Sequence, residues 1–106
     1  MSYNYRAINR LFHSPIRFAA MAMLANEQQA DFVAIRKAVG ATEGNLATHM
    51  RKLEDGGYVN VRKSFRGRKP HTEYEISDAG RKAFQAYMDQ LNRIVSSGST
   101  EEHSNK

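Results

Sequence analysis

Cysteine is absent from this 106-residue chain. Its absence excludes a disulfide scaffold, a Cys-ligated zinc or iron–sulfur site and a thiol nucleophile. It is compatible with a reducing cytosol. Long apolar runs are missing as well. The most apolar stretch, Phe18–Ala25, is eight residues rich in alanine, far short of the ~20 that a bilayer span needs. Met1–Arg10 has no apolar segment of signal-peptide type. The expectation is a soluble, cytoplasmic protein with no membrane partner. Catalytic patterns are equally scarce. There is no G-x-S-x-G, no Gly-rich phosphate loop and no H-E-x-x-H, and His13, His49, His71 and His103 lack the spacing of metal ligands. No enzyme, cofactor or metal site is expected.

What the chain does have is positive charge in one place. Lys and Arg number 16 against 11 Asp and Glu, a net charge of +5. Between Gly57 and Thr72 lie Arg62, Lys63, Arg66, Arg68 and Lys69, with no acidic residue. This one segment equals the excess of the whole chain and favours a polyanion partner.

Periodicity places that segment. Ile8, Leu11 and Phe12 form the stripe of a short helix over Asn4–Phe12. Ser14-Pro15 reads as an N-cap and first helical residue, opening a helix to about Ala25. Glu27–Ala30 is a polar connector with room for a very short strand. Asp31 caps a helix over Phe32–Val39 that Gly40 closes. Thr42 caps the next, Glu43–Asp55, with Leu46, Met50 and Leu53 inward, and Gly56-Gly57 ends it. The period then changes from 3.6 to 2. Tyr58, Val59, Val61 and Phe65 form one strand, Tyr74 and Ile76 begin the return, and Arg66–His71 is a basic tip. Ser77 caps a last helix, Asp78 to about Val95, and residues 96–106 read as a disordered polar tail. Residues 1–95 are thus one mainly α domain with a small β-hairpin. Two helices joined by a short turn, with a hairpin directly after, is the order of a winged helix-turn-helix.

The Thr42–Lys52 helix presents Thr42, Asn45, Thr48, His49, Arg51 and Lys52 outward. Residues in the first turns of a recognition helix meet base edges in the major groove. Asn pairs with adenine, Thr touches the thymine methyl, and Arg or Lys reaches guanine or phosphate. An ordinary solvated helix face shows the same composition. The hairpin is more informative, although the charges of a solvated hairpin also serve to block edge pairing. Arg62, Lys63, Arg66, Arg68, Lys69 and His71 offer phosphate contacts beside that helix, and a tip Arg suits a narrow minor groove.

Thr42-x-Gly44-Asn45-Leu46-x-x-His49-x-x-Lys52-Leu53-Glu54-x-x-Gly57-Tyr58-Val59 resembles the core motif of short bacterial and archaeal winged-helix transcriptional regulators related to the MarR and ArsR groups. Lys63-x-Phe65-x-Gly67-Arg68-x-Pro70-x-Thr72 and Ile76-Ser77-x-x-Gly80-Arg81-x-Ala83-Phe84 match in the same order, with Ile-Ser where the family more often has Leu-Thr. The match spans roughly residues 16–91. The resemblance implies a homodimeric, DNA-binding repressor or regulator. It carries base reading to Thr42, Asn45, Thr48 and His49, and the wing to Arg66, Arg68 and Lys69. Metal sensing of ArsR type uses Cys and His ligands, and this chain has no Cys. The alternatives are a winged-helix protein-interaction module and a non-specific nucleic-acid binder. Apolar positions of the terminal helices, Ile8, Leu11 and Phe12 with Phe84, Tyr87, Met88, Leu91, Ile94 and Val95, are the expected dimer interface, the alternative being that the two terminal helices pack on each other within one chain. The operator and any small-molecule effector are not encoded legibly.

Overall fold

Caps set the helix boundaries. In the computed structural model, which describes residues 9–103, Ser14 Oγ accepts from the Arg17 N–H at 3.3 Å and Pro15 opens α1, Pro15–Glu27. Asp31 Oδ1 accepts from the Ala34 N–H at 2.7 Å and starts α2, Phe32–Val39, which Gly40 ends at φ +72°. Thr42 Oγ1 accepts from the Asn45 N–H at 3.2 Å and starts α3, Glu43–Asp55. Each cap satisfies an N–H that a helix start leaves unpaired, a contribution of about 1 kcal/mol. α2 and α3 are therefore held as a helix-turn-helix by Gly40, Ala41 and Thr42.

The sheet has three antiparallel strands in the order β1-β3-β2: β1 is Gln29–Asp31, β2 Val59–Arg66 and β3 Lys69–Ile76. β1 is the short strand for which the Glu27–Ala30 connector left room. It pairs Gln29–Asp31 with Glu75–Glu73. The hairpin loop is tighter than the expected Arg66–His71 tip. Arg66 pairs with Lys69, leaving Gly67-Arg68 as a two-residue turn with Gly67 at φ +64°. Positive φ at the first loop residue alone is the II′ pattern, whose twist suits the flanking strands. Pro70 fits the ladder because the pair next to the closing pair, Phe65–Pro70, exchanges no backbone hydrogen bond across β2–β3.

Ala20, Met21, Leu24, Ile35, Leu46, Met50 and Leu53 are fully buried, and Val59, Tyr74 and Ile76 close the core from the sheet. α4, Asp78–His103, docks on this base through a narrow contact. Ser77 Oγ accepts from the Gly80 N–H at 2.9 Å and donates to the Gly57 carbonyl at 2.6 Å. A Cβ at Gly80 would collide with the Tyr58 carbonyl, so only glycine lets the first turn of α4 lie on the chain entering β2.

Three expectations need correction. Within the described residues, the opening helix is only a 3-10 turn, Arg10–Phe12, capped by Asn9; Ile8 and the rest of Asn4–Phe12 lie outside them. Phe12 is 1% exposed, stacked on Tyr58 with ring centroids 5.2 Å apart and edge-on to Phe84 and Tyr87. Phe84 and Tyr87 are 7% exposed. Phe12, Phe84 and Tyr87 thus fill the chain's own core and offer little to a second copy. Leu11 is half-buried, lying over Gly56. An amphipathic stripe reads the same whether its cover is the same chain or another. The last helix also runs past Val95 to His103, through the segment expected to be an unstructured tail. Extending a nucleated helix adds one hydrogen bond per residue, against modest penalties from Ser, Thr and one Gly.

Candidate nucleic-acid interface

α3 turns Leu46, Met50 and Leu53 inward, which leaves Thr42, Asn45, Thr48, Arg51 and Lys52 exposed. Three of its polar side chains, those of Thr42, Thr48 and His49, are tied into local structure. Thr42 is the cap, and Thr48 Oγ1 donates to the Gly44 carbonyl at 3.1 Å. His49 is half-buried and leans toward α1, where Arg17 Nη1 donates to its Nδ1 at 2.7 Å. Arg17 Nε donates in turn to the Leu11 carbonyl at 2.6 Å. A guanidinium has no lone pair to accept with, so Nδ1 is the acceptor and the ring proton sits on Nε2. Burial, then the nearby charges of Arg17 and Lys52, hold the His49 imidazole below its ordinary value of 6.5. Arg17 was missed from sequence: it lies 32 residues from His49, and no local pattern links the two.

The hairpin is arranged differently. Lys63, Arg66, Arg68 and Lys69 are exposed and make no ion pair among the described residues. Arg62 alone among the hairpin cations is engaged, with Glu73 at 3.2 Å, and an exposed pair of this kind contributes little stability. His71 is mostly covered; its Nε2 has no hydrogen-bond partner and stands 3.9 Å from Glu73 Oε2.

Between α3 and the hairpin runs an open cleft of about 650 Å³. One wall is Glu43, Ala47, Thr48, Arg51 and Glu54; the other is Val61, Lys63, Pro70, His71, Thr72 and Tyr74, with Asp31, Phe32 and Val33 at one end. Asp31 is committed to capping α2. Tyr74 is held protonated, its phenol pushed up by burial and then by Glu54. The expected site residues therefore do not form one patch. Thr48, Arg51, Lys63 and His71 share the cleft, His49 stands against α1, and Arg66, Arg68 and Lys69 sit at the far end of the hairpin. The arrangement suits an anionic strand lying between helix and hairpin, with one groove on either side.

At the other end of the molecule, Met88 and Val95 of α4 are 38% and 63% exposed, and Leu91 and Ile94 are half-buried. Among the described residues no helix is long and apolar enough to cross a membrane.

Residues 16–95 match the sequence model of a family described as winged helix DNA-binding domain. Over 82 residues the chain is 30% identical to an uncharacterized protein of Methanocaldococcus jannaschii, spanning 77% of this chain and 89% of that one. A transcriptional regulator homologue protein from Pyrococcus horikoshii has a similar structure, with TM-score 0.78 and 30% identity over 84% of this chain and 88% of that one. The Mycobacterium tuberculosis transcriptional regulator MOSR, solved in complex with DNA, shares the fold with TM-score 0.65 and 15% identity over 90% of this chain and 71% of that one. Regulators of the MarR and ArsR families share it too.

Proposed function

Because the chain belongs to the winged helix DNA-binding domain family, we propose that it is a homodimeric, sequence-specific regulator of transcription that acts as a repressor on DNA in the cytoplasm. The observation that carries this reading is the cleft with exposed α3 on one wall and the basic hairpin beyond the other. α3 enters the major groove with Asn45 and Thr48 toward base edges. The phosphate strand passes along the cleft beside Arg51 and Lys63. Arg66, Arg68 and Lys69 reach the far phosphates and the minor groove.

One such module reads few base pairs, and a two-fold dimer doubles the site. With Phe12, Phe84 and Tyr87 buried in their own chain, the second copy is left Met88, Leu91, Ile94 and Val95 of α4. Exposure of Met88 and Val95 on a helix that continues to His103 supports that use. Leu91→Asp is expected to yield folded monomers with much weaker operator binding. A wild-type chain that sediments as a monomer at micromolar concentration defeats the dimer.

Selection of bound sequences from random duplex DNA tests specificity and half-site spacing together. Enrichment of a near-palindrome with half-sites about 34 Å apart is expected. Binding without enrichment points to a non-specific nucleic-acid binder, and no binding to duplex at low salt points to a protein-interaction module.

A further inference from the structure

Phosphate binding leaves one feature of the hairpin tip unused. Phe65 is 72% exposed, the most exposed large hydrophobic side chain among the described residues. It stands directly across from Pro70 in the β2–β3 ladder. Side chains alternate between sheet faces. Phe65 and Pro70 therefore share a face with Val59–Ile76 and Val61–Tyr74, the pairs that close the core at the base of the hairpin. Pro70 also lines the cleft in front of α3. The apolar pair thus looks toward the side on which α3 stands. The Arg66–Lys69 pair, one step further on, projects from the opposite face. The tip is two-faced, with a flat ring and a proline on one side, Lys63 behind them, and Arg66 and Lys69 on the other.

A partner that satisfies both faces must be anionic and must offer flat apolar surface to a narrow probe. The Gly67-Arg68 turn keeps the tip two residues wide. The minor groove of DNA is about 6 Å wide and offers sugars and base edges between two rows of phosphates, with base faces reached once a step is unstacked. An anionic bilayer fits less well. One ring buries little apolar area in it, and it gives the polar face of α3 across the cleft nothing to read.

We propose that Phe65, backed by Pro70, is an apolar wedge that enters the minor groove and partly unstacks one base step, while Arg66, Arg68 and Lys69 seat on the flanking phosphates. The inference rests on the DNA-binding reading above and goes beyond it. It predicts a kink of about 20–90° at the step under the wing. It also predicts a preference there for pyrimidine–purine steps, which unstack most easily, although no hydrogen bond reads them.

The test uses the full chain and a duplex that the wild type selects from random DNA. 2-Aminopurine replaces adenine at successive positions, and fluorophores on the two ends report bending. The wild type should raise 2-aminopurine fluorescence at one step and shorten the end-to-end distance. Phe65→Ala should abolish both and weaken binding about tenfold, in the range for removing one aromatic ring from a base stack. Its salt slope and its melting temperature should stay unchanged, because the ring is exposed and the cations remain. Phe65→Leu should keep most of the bend. Tight wild-type binding with neither unstacking nor bend, or Phe65→Ala retaining both, overturns the wedge and leaves DNA binding intact. Absence of duplex binding, or tighter binding to phosphatidylserine vesicles than to duplex, overturns the wedge together with the reading beneath it.

Discussion

α3 and the hairpin face one cleft, yet their polar groups are held to different degrees. On α3, Thr42, Thr48 and His49 already hold hydrogen bonds within the chain. On the hairpin, Lys63, Arg66, Arg68 and Lys69 hold no ion pair among the described residues. Charge divides the same way. Glu43–Asp55 carries three acidic and two basic residues, whereas Gly57–Thr72 carries five basic and no acidic ones. The difference separates two tasks. Side chains fixed before contact, such as Thr48, read base edges at less ordering cost, a cost that Asn45, whose side chain holds no hydrogen bond among the described residues, carries on binding. Holding phosphates needs charge and tolerates motion, because the gain comes from counterion release. On the proposed DNA-binding function, α3 serves discrimination and the hairpin affinity.

The largest effect that sharpens this contrast comes from the wing. Arg66→Ala, Arg68→Ala and Lys69→Ala together should weaken binding to specific and random duplexes alike, by about two orders of magnitude near 0.1 M salt. The log–log salt slope should fall by about 0.9 for each phosphate that the wing no longer neutralises. Titrations at several salt concentrations measure both quantities. An unchanged slope would show that the wing does not touch the backbone and that affinity resides elsewhere.

A second change breaks the wing at its root and leaves the helix-turn-helix caps intact. Gly80→Ala places a methyl group against the Tyr58 carbonyl, a backbone atom that cannot swing aside. We expect a loss of about 3 kcal/mol, at the upper end for overpacking, read by urea or thermal unfolding. Stability within experimental error of wild type would mean that α4 shifts freely on the β2 entry. The rigid seat of the hairpin would then be wrong.

These two sites show what was legible from sequence. The boundaries of α1, α2 and α3 were readable because their caps are local: Ser14, Asp31, Gly40 and Thr42 act within four residues of themselves. The buried face of α3 was readable from Leu46, Met50 and Leu53, and the basic hairpin from charge alone. What was not legible is long-range. Gly80 was visible only as a motif letter, since its reason is a carbonyl 22 residues earlier in the chain. The Arg17–His49 contact spans 32 residues. β1 is three residues long and is defined by its partner rather than by any period. The inward turn of Phe12 was one of two open readings, because its stripe fits an intrachain and an interchain cover equally well.

A third test isolates discrimination. Asn45 is exposed in the first turn of α3, and only its backbone N–H is engaged, by the Thr42 cap. Asn45→Ala should cost about 1–3 kcal/mol on the selected site and far less on random duplex, with the salt slope retained. Equal losses on both DNAs would make Asn45 a backbone contact and would dissolve the division between helix and wing.

The smallest expected effect concerns how α3 is held. Neutral His49 accepts from Arg17, and its pKa lies below 6.5 because burial and two cations oppose a charge there. In the unfolded chain the ring takes up its proton near the ordinary value. As pH falls through 6.5 the unfolded state therefore binds protons first, and stability drops. Above 6.5 the contribution is fully present. DNA reverses the sign. Phosphates near α3 favour the imidazolium, so the complex takes up a proton and affinity rises as pH falls toward 6. Free-protein stability and DNA affinity should thus move in opposite directions over the same window. His49→Gln keeps an acceptor for Arg17 but cannot titrate, and it should flatten the His49 share of both curves. Thermal melts and binding titrations between pH 7.5 and 5.5 read the two trends. Parallel curves for wild type and His49→Gln would show that the Arg17–His49 contact does not couple protonation to α3. The helix would then owe its rigidity to its core face and caps alone.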